Sequence, residues 1–124
     1  MALFSETSKT RLQTAHPDLQ RLFFDVIQGW DCAILCGHRD EADQAAACAK
    51  GNSGTPWPTS KHNSCPSLAV DVAPYPVDWA DIQRFKDFAA YVKGRAEALG
   101  IAIRWGGDFK SLKDYDHFEL VEVS

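Results

Sequence analysis

Between Pro17 and Gln28 the apolar residues Leu19, Leu22, Phe23, Val26 and Ile27 recur three and four positions apart, which predicts an amphipathic helix. Proline suits its first turn, where a missing N–H costs nothing, and Gly29 follows as a C-terminal stop. Residues 5–15 predict a shorter helix that breaks at His16-Pro17. Cys32–Cys36 is a brief apolar run, better suited in length to a buried strand than to a helix. Gly37, His38 and Arg39 then turn the chain into an alanine-rich helix over Asp40–Lys50, stopped by Gly51. Residues 51–66 are rich in Gly, Pro, Ser, Asn and Thr and read as an irregular loop. Leu68–Val72 alternates as a strand does, with Pro74 and Pro76 ending it.

The longest predicted helix runs from Trp79 to Leu99 with Asp78 as its N-cap. Its apolar stripe comprises Trp79, Ile82, Phe85, Phe88 or Ala89, Val92, Ala96 and Leu99, and Gly100 closes it. Ile101–Trp105 predicts a strand, Gly106-Gly107 a turn and His117–Val123 a last, alternating strand. Helices come first, strands recur late and connections are short. That order predicts an α+β fold, a small antiparallel sheet flanked by helices, in one domain spanning residues 1–124 without internal repeats.

Composition narrows the function classes. Apolar residues make up 45% and charged residues 24% of the chain, which excludes a largely disordered protein. The net charge is −4 and no Lys/Arg cluster is present to displace phosphate counterions, so no nucleic-acid partner is expected. The N-terminus lacks the apolar core of a signal peptide, and no segment has the roughly 20 apolar residues of a membrane span. Synthesis in the cytoplasm without membrane insertion is the expectation. Cys32, Cys36, Cys48 and Cys65 form no Cys-x-x-Cys pair and are expected as buried thiols, Cys32 and Cys36 behaving as small hydrophobes in their apolar run.

The chemistry-bearing residues cluster where strands are predicted. His62 follows Ser60-Lys61, and Asp71 lies inside the apolar strand Leu68–Val72, where a carboxylate is costly unless paired or bound to a metal. A second cluster, Asp114-Tyr115-Asp116-His117, leads into the last strand. Two histidines and one carboxylate make a three-ligand zinc site with an open fourth position. Zinc brings the pKa of a coordinated water to about 7, and a nearby carboxylate can then move its proton. Asp114 and Asp116 both qualify for that role, and strand phase alone does not choose between them. The helical zinc motif His-Glu-x-x-His is absent.

At these positions the chain resembles the zinc peptidases of the D-alanyl-D-alanine carboxypeptidase and dipeptidase type, above all the small phage endolysins that are L-alanyl-D-glutamate peptidases. The resemblance rests on Ser60-x-His62, Ala69-x-Asp71 and Asp114-x-x-His117. It extends through Gly37-His38-Arg39, Val70–Tyr75, Asp78-Trp79 and Arg104–Asp108. It implies the sheet of the hedgehog and DD-peptidase fold, with zinc on His62, Asp71 and His117, Asp114 as acid/base and Arg39 steadying the substrate carbonyl. Ser60, Gln44 and Asp108 would line the substrate cleft. The implied substrate is a peptidoglycan stem peptide. The implied protein is a monomer made in the host cytoplasm that reaches the wall through a pore made by another protein. A D-Ala-D-Ala carboxypeptidase or dipeptidase, or an inactive metal-bearing wall-binding module, are the alternatives. One departure is clear: the interval from His62 to Asp71 is two residues longer than the usual pattern and lacks its glycine.

Overall fold

In the computed structural model, which describes residues 3–49, 57, 60–110 and 113–121 (for Ala47 the backbone alone), the predicted α+β order is present. Helices α1 (Glu6–Leu12), α2 (Pro17–Gly29), α3 (Glu41–Ala49) and α4 (Ile82–Leu99) accompany strands β1 (Cys32–Cys36), β2 (Ala69–Pro74), β3 (Ile103–Trp105) and β4 (His117–Leu120). The strands form one antiparallel sheet in the order β1-β2-β4-β3. Helix α2 buries the five apolar residues that predicted it, and α4 buries Phe85, Phe88, Ala89, Val92 and Ala96. These helices pack on each other and are joined by the Asp25–Arg95 ion pair. Between them and the sheet lies the core, where Phe118 meets Phe23 and Phe88 edge to face at 5.5 and 6.1 Å.

Several boundaries move, each for a local reason. Helix α1 stops at Leu12 because Ala15 makes a parallel bridge with Ser67 and His16 N–H donates to Ser67 O at 2.8 Å. Gly29 lies inside α2 and Trp30 takes the extended C-cap, whereas Gly100 closes α4 in the left-handed conformation expected of it (φ 73°). Asp40 precedes α3 and caps it, accepting from Asp43 N–H at 2.8 Å; Lys50 and Gly51 lie outside the described residues. Strand β2 ends at Pro74, as its prolines predicted. That proline pairs with Cys32 beyond the stretch that β4 covers, so its missing N–H interrupts no central ladder. Helix α4 starts at Ile82, not Trp79, because Asp81 is the N-cap and accepts from Arg84 N–H. Trp79 therefore sits outside the helix, 58% exposed and stacked on Phe85. The third strand begins at Ile103, Gly106–Asp108 is a 3-10 turn, and β4 is buried at every position instead of alternating.

Phe88 is fully buried against Phe118 and Trp30, so Phe88→Ala leaves a cavity that the surrounding rings cannot fill. A loss of about 3–5 kcal/mol is expected, measured by urea unfolding, with an unchanged midpoint refuting this account of the core.

Candidate metal centre

Strand alternation sorts the sheet into two faces. Val70, Val72, Phe118 and Leu120 belong to the core, so Asp71, His117 and Glu119 point to the other face, where Asp71 and His117 are direct cross-strand partners. His62 arrives from a 3-10 turn, Lys61–Asn63, capped by Ser60: its hydroxyl accepts from His62 N–H, and Ser60 N–H donates to Asn63 Oδ1. His62 Nε2 lies 3.2 Å from Asp71 Oδ1 and 3.3 Å from His117 Nδ1, and His117 Nδ1 lies 3.4 Å from Asp71 Oδ1. A tetrahedral ion held at 2.0–2.1 Å needs donors about 3.3–3.4 Å apart. The three atoms already have that spacing.

Both rings are fixed to present the correct nitrogen. His62 Nδ1 is 2.7 Å from Gly37 O, which can only accept, so Nδ1 carries the hydrogen and Nε2 is left for the shared point. His117 is the mirror case. Its Nε2 donates to Glu119 Oε1 at 2.8 Å, freeing Nδ1, and Lys61 holds the other Glu119 oxygen at 3.0 Å. Burial opposes ionisation of Glu119, but His117 and Lys61 outweigh it and draw the carboxyl down to about 2. Burial would likewise raise Asp71, yet hydrogen bonds from His117 and His62 hold it well below the ordinary carboxylate range. Burial would lower His62, and Asp71 with Cys36 instead raise it to about 10.

The other expected residues surround this set at different distances. Arg39 Nη2 meets Asp71 Oδ2 at 3.3 Å, and Arg39 Nη1 donates to Gln44 Oε1 at 2.9 Å. Gln44 is fully buried and also accepts from Asn63 Nδ2, so it ties Arg39 to the turn carrying His62. Asp114 Oδ2 stands 3.9 Å from His117 Nδ1 at the rim, its side chain 37% exposed. Its loop is drawn against Gly106: Asp114 N–H donates to Gly106 O, and a Cβ on Gly106 would fall 2.2 Å from Asp114 O. Asp116 is pushed up to about 9, first by burial and then by the adjacent Asp114. Asp108 is engaged by Lys93 at 2.6 Å, and Ser60 is occupied as a cap.

Three contributors were missed in the sequence. Glu119 had a readable signal, since His-x-Glu on a strand places both side chains on one face. The Gly37 carbonyl carries no sequence signal. Cys36 overturns its reading as a core hydrophobe: a register shift between Ile34 and Cys36 sets it opposite Asp71, on the donor face. Its sulfur, a His62 ring nitrogen and an Asp71 oxygen lie within 4.8 Å of one another, as do donors from Asp71, Asp114 and His117. Burial would raise the Cys36 thiol, but hydrogen bonds with His62 and Arg39 hold it below its ordinary value. Of the other cysteines, Cys32 is buried as expected, Cys48 half-buried and Cys65 exposed; no disulfide links them.

An α+β fold that brings two oriented imidazoles and a carboxylate to one point beside an acidic rim has the donor set of a candidate hydrolase metal site. The model of the phage L-alanyl-D-glutamate peptidase family matches residues 1–121, and the chain belongs to that family. It is 31% identical over 122 residues to the L-alanyl-D-glutamate peptidase of Escherichia phage T5, covering 94% of this chain and 88% of that protein. The crystal structure of the L-Ala D-Glu endopeptidase ChiX of Serratia marcescens superposes with a TM-score of 0.80 at 30% identity, covering 96% of this chain and 90% of that one.

Glu119→Gln keeps the size of the side chain but removes the charge that orients and polarises His117. Divalent-metal affinity should fall about 10–100-fold by competition titration while the thermal unfolding of the metal-free protein changes little. An unaltered affinity would show that Glu119 does not support the ligand.

Proposed function

We infer that this protein is a zinc-dependent peptidoglycan peptidase of the endolysin type, hydrolysing the L-alanyl–D-glutamate bond of the stem peptide. The observation that carries the reading is the His62–Asp71–His117 triangle, spaced for a tetrahedral ion and oriented by Gly37 O and Glu119, in a chain of the L-alanyl-D-glutamate peptidase family. His62, Asp71 and His117 would hold zinc, which supplies Lewis acidity to polarise a carbonyl and to acidify water.

The remaining chemistry falls to the chain's own carboxylates and arginine. Asp114, partly exposed beside the donor set, takes a proton from the attacking water and delivers it to the amine of D-glutamate as the C–N bond breaks. Asp116 is a poor candidate for base: burial and Asp114 keep its carboxyl protonated at neutral pH. Arg39, held by Gln44, orients Asp71 and places a fixed positive charge near the carbonyl oxygen on which negative charge develops. Ser60 and Gln44 contribute by holding the turn of His62 and Arg39 in place, and Asp108 would line the outer part of the cleft. No described helix is long and apolar enough to cross a membrane, and release to the wall through a separate pore, as a monomer, completes the reading.

Asp114→Asn should keep zinc and lose about 10²–10⁴-fold in rate, because an amide cannot accept the proton. Asp116→Asn replaces a neutral carboxyl by a neutral amide and should remain active. The reverse pattern, Asp116→Asn dead and Asp114→Asn active, would move the acid/base by two residues. Mass spectrometry of digested Gram-negative sacculi names the bond: released peptides should begin with D-glutamate. Loss of terminal D-alanine alone would make the enzyme a carboxypeptidase, and no cleavage with zinc bound would leave a wall-binding module.

A further inference from the structure

We propose that Cys36 is a switchable fourth protein ligand, its thiolate closing the His62–Asp71–His117 site around zinc or another thiophilic divalent ion. The inference rests on the metal site argued above and concerns a residue to which that reading gives no role. Its basis is the strand register. In a regular β1, Cys36 would share the face of Cys32 and Ile34, both in the core. The shift after Ile34 instead pairs Cys36 with Asp71, which in turn pairs with His117, so the three residues form one row across the sheet. Bulges re-aim side chains in this way, often beside active sites.

Two donor groups share Asp71: Cys36 with His62 and Asp71, and Asp114 with Asp71 and His117, each within 4.8 Å. Cys36 and Asp114 thus belong to separate donor groups that meet at Asp71. An ion on His62, Asp71 and His117 has one position left. Water and substrate can fill it from the rim where Asp114 stands, or the thiolate can fill it from β1. Zinc sites with four protein ligands are closed and structural, whereas those with three stay open for chemistry. A sulfur ligand also favours zinc and cadmium over magnesium or calcium.

A zinc–sulfur bond of about 2.3 Å beside a zinc–nitrogen bond of about 2.0 Å needs the two donors about 3.5 Å apart, and Cys36 Sγ already lies within 4.8 Å of a His62 ring nitrogen and an Asp71 oxygen. Cys36 Sγ now makes a long contact of 3.6 Å to Gly37 O, an oxygen that also accepts from His62 Nδ1 and Ser67 Oγ. Releasing the thiol orphans no acceptor. Binding breaks the S–H bond, forms the S–metal bond and passes the proton to solvent.

Cobalt titration of the full chain tests this without relying on activity. The wild type should show the visible d–d bands of tetrahedral cobalt together with a near-ultraviolet thiolate-to-cobalt charge-transfer band. Cys36→Ser should keep the former and lose the latter, while Cys65→Ser keeps both. Cadmium affinity should fall at least about tenfold in Cys36→Ser only. Zinc-edge X-ray absorption of the wild type, which needs no variant to fold, should find a sulfur neighbour at about 2.3 Å. Visible bands without charge transfer and without a sulfur shell would reject Cys36 and leave the zinc site standing. Charge transfer that survives in Cys36→Ser would assign the sulfur to another cysteine and reject the proposal. Failure to bind cobalt or zinc at all would reject the site itself, and the proposal with it.

Discussion

Asp71 stands between Val70 and Val72, both with no exposed surface, in a strand flanked on both sides by others. Burying a lone carboxylate there would cost several kcal/mol or force it to take up a proton. The structure offsets that cost by convergence: Arg39 comes from the turn after β1, His62 from a capped 3-10 turn, and His117 from the adjoining strand. Each partner is then held by a group of its own, Gln44 for Arg39, Gly37 O for His62 and Glu119 with Lys61 for His117. The same convergence leaves His62, Asp71 and His117 donors facing one point, the arrangement a bound cation would use.

The elements most legible in the sequence were those whose stability comes from their own periodicity. Helix α2, and α4 from Ile82 onward, follow their apolar spacing, and β1 follows its length. Trp79 misled because an aromatic at helical phase is indistinguishable, in one dimension, from an aromatic that stacks on the helix from outside. Pro74 read correctly: β2 ends on it, where it pairs with Cys32 past the stretch that β4 covers. The candidate donor set stood out as residue types around strands, and the family resemblance proposed its roles. Its supports divide sharply. Glu119 could have been found from strand parity, whereas Cys36 could not, because one register shift reverses parity and leaves no mark in composition.

The longer interval between His62 and Asp71 shows how the fold protects the site from its own loops. Both ends of that segment are pinned. Leu68 N–H donates to Lys61 O at 2.9 Å, closing the loop on itself, and Ser67 bridges Ala15 while its hydroxyl reaches Gly37 O. His38 Nδ1 holds the carbonyl of Ser64 at 2.8 Å. Only Cys65 and Pro66 are left outside these ties, and both are exposed. Extra residues placed there lengthen a surface excursion, and lengthening a loop adds little closure entropy because the cost grows only logarithmically. His62 is therefore positioned by the hydrogen bonds at the neck of the loop, not by its length.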